Sequence, residues 1–241
     1  MSVRASVAMA VYEGEKYLVP QLDSILSQLG PEDELVISYD RSSDGTLPLI
    51  RDYESRDSRV TVVMDPSSGV IANFENALLH CGGKYLFIAD QDDIWIDGKI
   101  DRMVAFLENT GAALAVHNGV TINDRDEIVS KDFFSEYRIG PSFLRNFLKS
   151  RYSGCCMAFT ADFRDVILPI PRYIDAYDRW FGLCAEGFCR IAFLDDVLIR
   201  HRVHGENYTP ASSRSLPVIL KTRFLMMKAL LKKRKELKRP K

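Results

Sequence analysis

The first hundred residues alternate between two kinds of apolar pattern. Short apolar-rich runs at Ser6 to Tyr12, Glu34 to Tyr39, Arg59 to Met64 and Tyr85 to Ala89 read as strands. Between them, apolar residues recur at helical spacing. Glu15 to Leu29 carries Leu18, Leu22, Ile25, Leu26 and Leu29 on one face and stops at Gly30-Pro31. Helices are also predicted over roughly Thr46 to Ser55, over Gly69 to Cys81 with Val70, Phe74, Ala77, Leu78 and Cys81 inward, and over about Gly98 to Asn109. Strands and helices in strict alternation with short links predict an α/β fold, with a mostly parallel central sheet flanked by helices.

The second half is less regular. Ala112 to His117 reads as a strand, and Val120 to Ser130 as a strand pair turning at Asn123-Asp124-Arg125-Asp126. Short helices are expected at Pro141 to Lys149 and Ala161 to Leu168, with Gly154 to Thr160 strand-like between them. A helix over Asp175 to Phe188 and a strand-rich stretch from Ile191 to His204 follow.

One strand ends unlike the others. Tyr85-Leu86-Phe87-Ile88-Ala89 runs straight into Asp90-Gln91-Asp92-Asp93, three carboxylates in four positions. In open α/β sheets the ligand crevice lies outside the carboxyl ends of the strands. Carboxylates crowded there repel one another unless a cation sits among them, and hard ions such as Mg²⁺ or Mn²⁺ take carboxylates with substrate phosphates. The competing reading is a solvated acidic turn ahead of the next helix. Tyr12 and Asp40 end neighbouring strands on the same edge, where a ring can stack on a base and a carboxylate can accept a base N–H; as strand-end aromatic and turn former they would need no ligand.

Composition changes the picture in two places. The 241 residues are 46% hydrophobic and 27% charged, ordinary globular values, and no apolar run is long enough to span a bilayer. Val7 to Val11 reads as a strand rather than a signal peptide. Five cysteines form no C-x-x-C pair, which fits reduced, mostly buried thiols in a cytoplasmic protein. The net charge of −1, however, hides a segregation: residues 214–241 carry eleven Lys or Arg against the single acid Glu236. There Leu220, Phe224, Met227 and Leu231 share a helical face and Lys221, Lys228, Lys232 and Lys235 lie largely off it, as in a basic amphipathic helix suited to anionic headgroups. A helix packed on the domain is the alternative. Nucleic acid is disfavoured as a partner, because no aromatic residues are interleaved with the charge.

Several of these stretches together resemble a known family. Met9-Ala10-Val11-Tyr12-Glu13-Gly14-Glu15-Lys16-Tyr17-Leu18, Asp40-Arg41-Ser42-Ser43-Asp44-Gly45-Thr46, Gly69-Val70-Ile71-Ala72-Asn73-Phe74 and Asp90-Gln91-Asp92-Asp93-Ile94-Trp95 follow the order seen in family 2 glycosyltransferases of the GT-A fold. Tyr177-Asp178-Arg179-Trp180 and His201-Arg202-Val203-His204-Gly205-Glu206-Asn207 resemble late motifs of a bacterial rhamnosyltransferase-like branch. The resemblance implies an inverting, Mn²⁺- or Mg²⁺-dependent transfer of a sugar from a nucleotide-diphosphate donor to a glycan or lipid-linked glycan in surface polysaccharide synthesis. Residue by residue, it places Tyr12, Asp40, Asn73, Asp90 and Asp92 at the nucleotide, Asp92, Asp93 and His204 at the metal, Arg202 at the diphosphate and Asp178 as general base. It also implies one GT-A domain over 1–213, with a nucleotide-binding half (1–110) and an acceptor half (111–213), followed by the basic tail at 214–241, a candidate peripheral membrane contact. Val11, Glu13, Tyr39 and Arg41 depart from the family pattern around the base pocket, so dTDP-, UDP- and GDP-sugars all stay open, the first two favoured. Two rivals remain: a nucleotidyltransferase, which would need a Gly-rich basic phosphate loop that this N-terminus lacks, and a non-catalytic homologue that binds the donor or serves as a partner subunit.

Overall fold

A computed structural model describes residues 3–130, 132–149, 151–204 and 215–238. The first half follows the apolar pattern closely: β1 (Ala5–Val11), α1 (Leu18–Leu26), β2 (Glu34–Tyr39), α2 (Thr46–Arg56), β3 (Val60–Met64), α3 (Val70–His80), β4 (Tyr85–Ala89), then a two-residue β5 (Ile94–Trp95) and α4 (Lys99–Thr110). β1 and β4 are buried along nearly their whole length, as strands covered on both faces must be, whereas β3 alternates. α1 is shorter than its periodicity predicts, because residues 15–17 form turns on the Gly14 carbonyl before the helix begins. Pro20 falls in its first turn, where a missing N–H costs nothing.

The second half contributes β6 (Leu114–Ile122), α5 (Phe133–Tyr137), α6 (Phe143–Leu148), a 3₁₀ turn (Gly154–Cys156), β7 (Met157–Thr160), α7 (Ala161–Ile167), α8 (Tyr177–Phe188), β8 (Ile191–Arg202) and α9 (Leu216–Leu237). Here the pattern misleads. β6 is one strand through Gly119, where the sequence suggests two segments. A Cβ on Gly119 would lie 2.7 Å from Ile199 Cγ2, so the glycine marks close packing rather than a break. The predicted return arm is reduced to an Ile122–Ile128 bridge. α5 escaped notice because it is short; Asp132 caps it by accepting from the Ser135 amide at 3.0 Å.

All eight strands join one sheet in the order β3-β2-β1-β4-β7-β6-β8-β5. β3, β2, β1 and β4 are mutually parallel, β7 is antiparallel to both neighbours, β6 and β8 are parallel to each other, and β5 is antiparallel to β8. The chain therefore moves outward from β1 through β2 to β3, then returns to β1's other side with β4. That reversal opens the crevice between the ends of β1 and β4. The strands of both halves share this sheet and one continuous core.

α9 lies on α8 and buries Met226, Ala229, Leu230 and the stem of Lys233, whose ammonium donates to the Leu168 carbonyl at 3.0 Å. The stripe expected to face inward or toward lipid, Leu220, Phe224, Met227 and Leu231, is exposed and offset from the packed one. Leu230→Ala is expected to cost about 2–4 kcal/mol in chemical denaturation, whereas Leu231→Ala next to it stays within about 0.5 kcal/mol.

Candidate active site

The apolar run of β4 ends at the reversal of strand order, so Asp90, Asp92 and Asp93 fall in the turn between β4 and β5. Side-chain to backbone bonds hold that turn. Gln21 donates to the Asp90 carbonyl at 2.7 Å. Gln91 both accepts from the Tyr12 amide and donates to the Tyr12 carbonyl, each at 2.8 Å, and so locks the turn to the end of β1. Arg202 Nε donates to the Asp92 carbonyl at 3.0 Å.

The three acids, adjacent in sequence, occupy different surroundings. Asp92 Oδ2 lies 2.9 Å from His204 Nε2. Asp93 is wholly buried; its Oδ1 accepts from the Arg202 amide at 3.1 Å and lies 2.8 Å from His201 Nδ1. Burial, together with the charges of Cys155, Asp93 and Asp92, drives the Asp90 carboxyl well above the usual carboxylate range. Burial and the Asp93 charge raise Asp92 against the pull of His204. Asp93 is raised mainly by burial. A cluster that resists ionisation in this way is one that a bound cation would relieve.

Asp178 begins α8 and accepts from its neighbour's amide, Arg179 N, at 2.6 Å. The residue is half-buried, yet surrounding protein strips water from its carboxyl and pushes its pKa up to about 6. Tyr177 links the two acidic groups: its ring lies 4.4 Å from that of Phe74 on α3, and its hydroxyl feels the charges of both Asp90 and Asp178. Gly154 makes room for it, since a Cβ there would lie 2.1 Å from that hydroxyl.

At the ends of β1 and β2, Tyr12 is half exposed, at 52%. Asp40 is buried and engaged: it accepts from the Gly69 amide at 2.8 Å and from Ser68 Oγ at 3.0 Å. Gly69 adopts φ +98° there, a conformation that suits glycine. Asn73 donates to the Val11 carbonyl at 3.1 Å and leaves its buried Oδ1 without a hydrogen-bond partner among the described residues.

Arg202, expected at a diphosphate, is buried and engaged within the protein. Its buried guanidinium bonds the Asp92 and Asn123 carbonyls and pairs with Asp126 at 2.6 Å, over the ring of Tyr17. It fastens the acidic turn to the end of β6. Gly205, Glu206 and Asn207 of the last motif lie outside the described residues. Sequence reasoning passed over Gln91 and Gln21, and assigned no role to His201, Tyr17 and Tyr177. The signal for His201 was present in the quoted motif; that of the glutamines, which work through backbone bonds, was not.

A mostly parallel sheet with clustered acids at the reversal of strand order is the architecture of a GT-A glycosyltransferase. The chain belongs to glycosyl transferase family 2, whose model matches residues 6–168. It is 31% identical over 203 residues to the putative teichuronic acid biosynthesis glycosyltransferase TuaG of Bacillus subtilis, covering 82% of this chain and 78% of that protein. It is 28% identical over 127 residues to the UDP-Glc:alpha-D-GlcNAc-diphosphoundecaprenol beta-1,3-glucosyltransferase WfgD of Escherichia coli, covering 52% and 49% of the two chains. Among solved structures, S. aureus TarS 1–349 in complex with UDP-GlcNAc superposes with a TM-score of 0.76 at 20% identity, over 95% of this chain and 66% of that one. The mannosyltransferase PcManGT from Pyrobaculum calidifontis, in complex with GDP-Man and Mn²⁺, gives 0.64 at 21%, over 85% and 58%.

Arg202→Lys tests the fastening role. A lysine cannot reproduce the forked bonds to two carbonyls, so urea denaturation should show a loss of about 2 kcal/mol, with no donor present.

Proposed function

We propose that this glycosyltransferase moves a sugar, with inversion, from a nucleoside-diphosphate donor to an acceptor hydroxyl on a glycan or lipid-linked glycan, in surface polysaccharide synthesis. The observation that carries the reading is Asp178 at the head of α8, its carboxyl pushed up to about 6 by burial, with the neighbouring Tyr177 hydroxyl feeling the charges of both Asp178 and Asp90. A base is most useful when its pKa lies near the working pH. Inversion in one displacement requires a single base. The acceptor oxygen bonds to the anomeric carbon, the bond from that carbon to the diphosphate breaks, and the hydroxyl proton passes to Asp178. The names of TuaG and WfgD support a polysaccharide or lipid-linked acceptor, and the ligands of TarS and PcManGT support a nucleotide-sugar donor.

Asp92 and His204 would hold a divalent cation, with Asp90 beside them; the carboxylate oxygens suit Mn²⁺ or Mg²⁺. Such an ion supplies Lewis-acid stabilisation of the charge on the leaving diphosphate. Tyr12 would stack on the base, with Asn73 and the Asp40-bound turn at Ser68-Gly69 shaping the pocket wall. The 1–213 unit would work as one catalytic domain, and residues 214–241 as its attachment. No helix among the described residues is long and apolar enough to cross a membrane. In α9 the exposed stripe of Leu220, Phe224, Met227 and Leu231 is flanked by exposed Lys221, Lys228, Lys232 and Lys235, which supports peripheral contact with an anionic membrane face.

Asp178→Asn should abolish transfer while leaving donor affinity within about twofold, measured by calorimetry with a non-hydrolysable donor; transfer above about 1% of the wild-type rate would remove Asp178 as base, since a positioned base contributes roughly 10²–10⁴-fold. The wild-type rate should rise with pH through about 6 as Asp178 ionises. Its raised pKa means that folding is favoured below the unfolded value of 3.8 and that this advantage is lost as pH climbs through about 6. D178N should therefore melt at or above the wild-type temperature at pH 8. In vesicle sedimentation, charge reversal of Lys221, Lys228, Lys232 and Lys235 should abolish binding to anionic bilayers, each lysine contributing about 1 kcal/mol. Equal binding to neutral vesicles would instead point to apolar insertion alone.

A further inference from the structure

Behind the open carboxylates, three donor atoms of different chemistry converge. His201 Nδ1 lies 2.8 Å from Asp93 Oδ1 and 3.9 Å from Cys155 Sγ, and one ligand atom from each residue lies within 4.8 Å of the others. Asp93 and Cys155 are wholly buried. Among the described residues the buried Asp93 Oδ2 has no hydrogen-bond partner, and such a group calls for one. We propose that Asp93, Cys155 and His201 form a binding site for Zn²⁺, separate from the hard-cation chemistry of Asp92 and His204.

The donor set argues for the ion. Thiolate and imidazole favour Zn²⁺ over Mg²⁺ or Mn²⁺. In a tetrahedral zinc site with metal–ligand distances of about 2.0–2.3 Å, ligand atoms stand roughly 3.2–3.7 Å apart. The observed separations approach this, and shifts of about an ångström or less close the set. The ion would displace the proton shared by Asp93 and His201.

The surroundings also fit. The Arg202 amide holds Asp93 at 3.1 Å, Ser153 Oγ lies 3.2 Å from Cys155 Sγ, and Lys99 Nζ donates to the Cys155 carbonyl at 2.8 Å. These contacts orient the ligands as outer-shell partners do. The His201 side chain keeps 28% exposure and provides an entry path. The three ligands come from the turn after β4, the turn before β7 and the end of β8, so a bound ion would tie distant segments together directly behind Asp92 and His204.

The proposal stands independently of sugar transfer, and its readout is spectroscopic. The full chain, stripped by chelator, is titrated with Co²⁺ alone. One equivalent should produce a sulfur-to-cobalt charge-transfer band in the near ultraviolet, displaced by Zn²⁺, and Zn²⁺ should raise the melting temperature. Cys155→Ser should lose the band and weaken Zn²⁺ by about 100-fold or more, since removing an outer-shell partner alone costs 10–100-fold. D92N and H204A should keep the band. A wild-type protein without the band, a band that persists in C155S, or one lost in H204A overturns the site. Should C155S fail to fold, C156S and C189S decide: the band must survive in both, and its loss in either refutes the assignment to Cys155.

Discussion

The structure depends on how it handles the mutual repulsion of three crowded carboxylates at the end of β4, of which Asp93 is wholly buried. Left in one place, they would be driven toward the neutral form, as burial already begins to do for Asp90. The fold divides them. Asp92 turns to His204 and Asp93 to His201 and the Arg202 amide, so imidazoles from one strand end meet two acids on different sides of the same turn. Charge that would be costly in the interior is thereby paired with imidazole and amide donors.

That division requires the turn to stay still. Gln91 clamps it to β1, Gln21 holds the Asp90 carbonyl, and Arg202 ties Asp92 to the Asn123 carbonyl. None of these contacts needs a ligand. Rigid backbone support behind reacting groups is what allows binding energy to be used on the transition state rather than on ordering the site. Asp178 is prepared in a complementary way: α8 supplies an amide, which favours the anion, while the desolvated setting opposes it. The balance settles near neutral pH. Tyr177, wedged between α3 and Gly154, connects this carboxyl to the acidic turn.

The C-terminal helix shows two faces with separate work. Met226, Ala229 and Leu230 attach it to α8, while the offset stripe through Leu220 and Phe224 remains outside. Of the two alternatives from sequence, the helix packed on the domain is present in α9, and an apolar stripe is left exposed beside the packed one.

The amino-acid pattern by itself determined the parallel half of the sheet, because strands buried on both faces have no room for polar alternation and their flanking helices repeat at 3.6. It also marked Asp90 to Asp93, since three acids terminating an apolar run have few structural uses, and it flagged Asp178 at the head of an apolar helix. Only the tertiary structure decided what those residues meet. β6 runs unbroken through Gly119 because Ile199 packs where a Cβ would sit, and that contact lies far away in sequence. Arg202, expected at a diphosphate, fastens the acidic turn because carbonyls from two other segments reach its guanidinium. Asp92 and Asp93, adjacent and chemically identical, diverged because a turn points neighbouring side chains in different directions, and the partners waiting there are contributed by a strand end more than a hundred residues away.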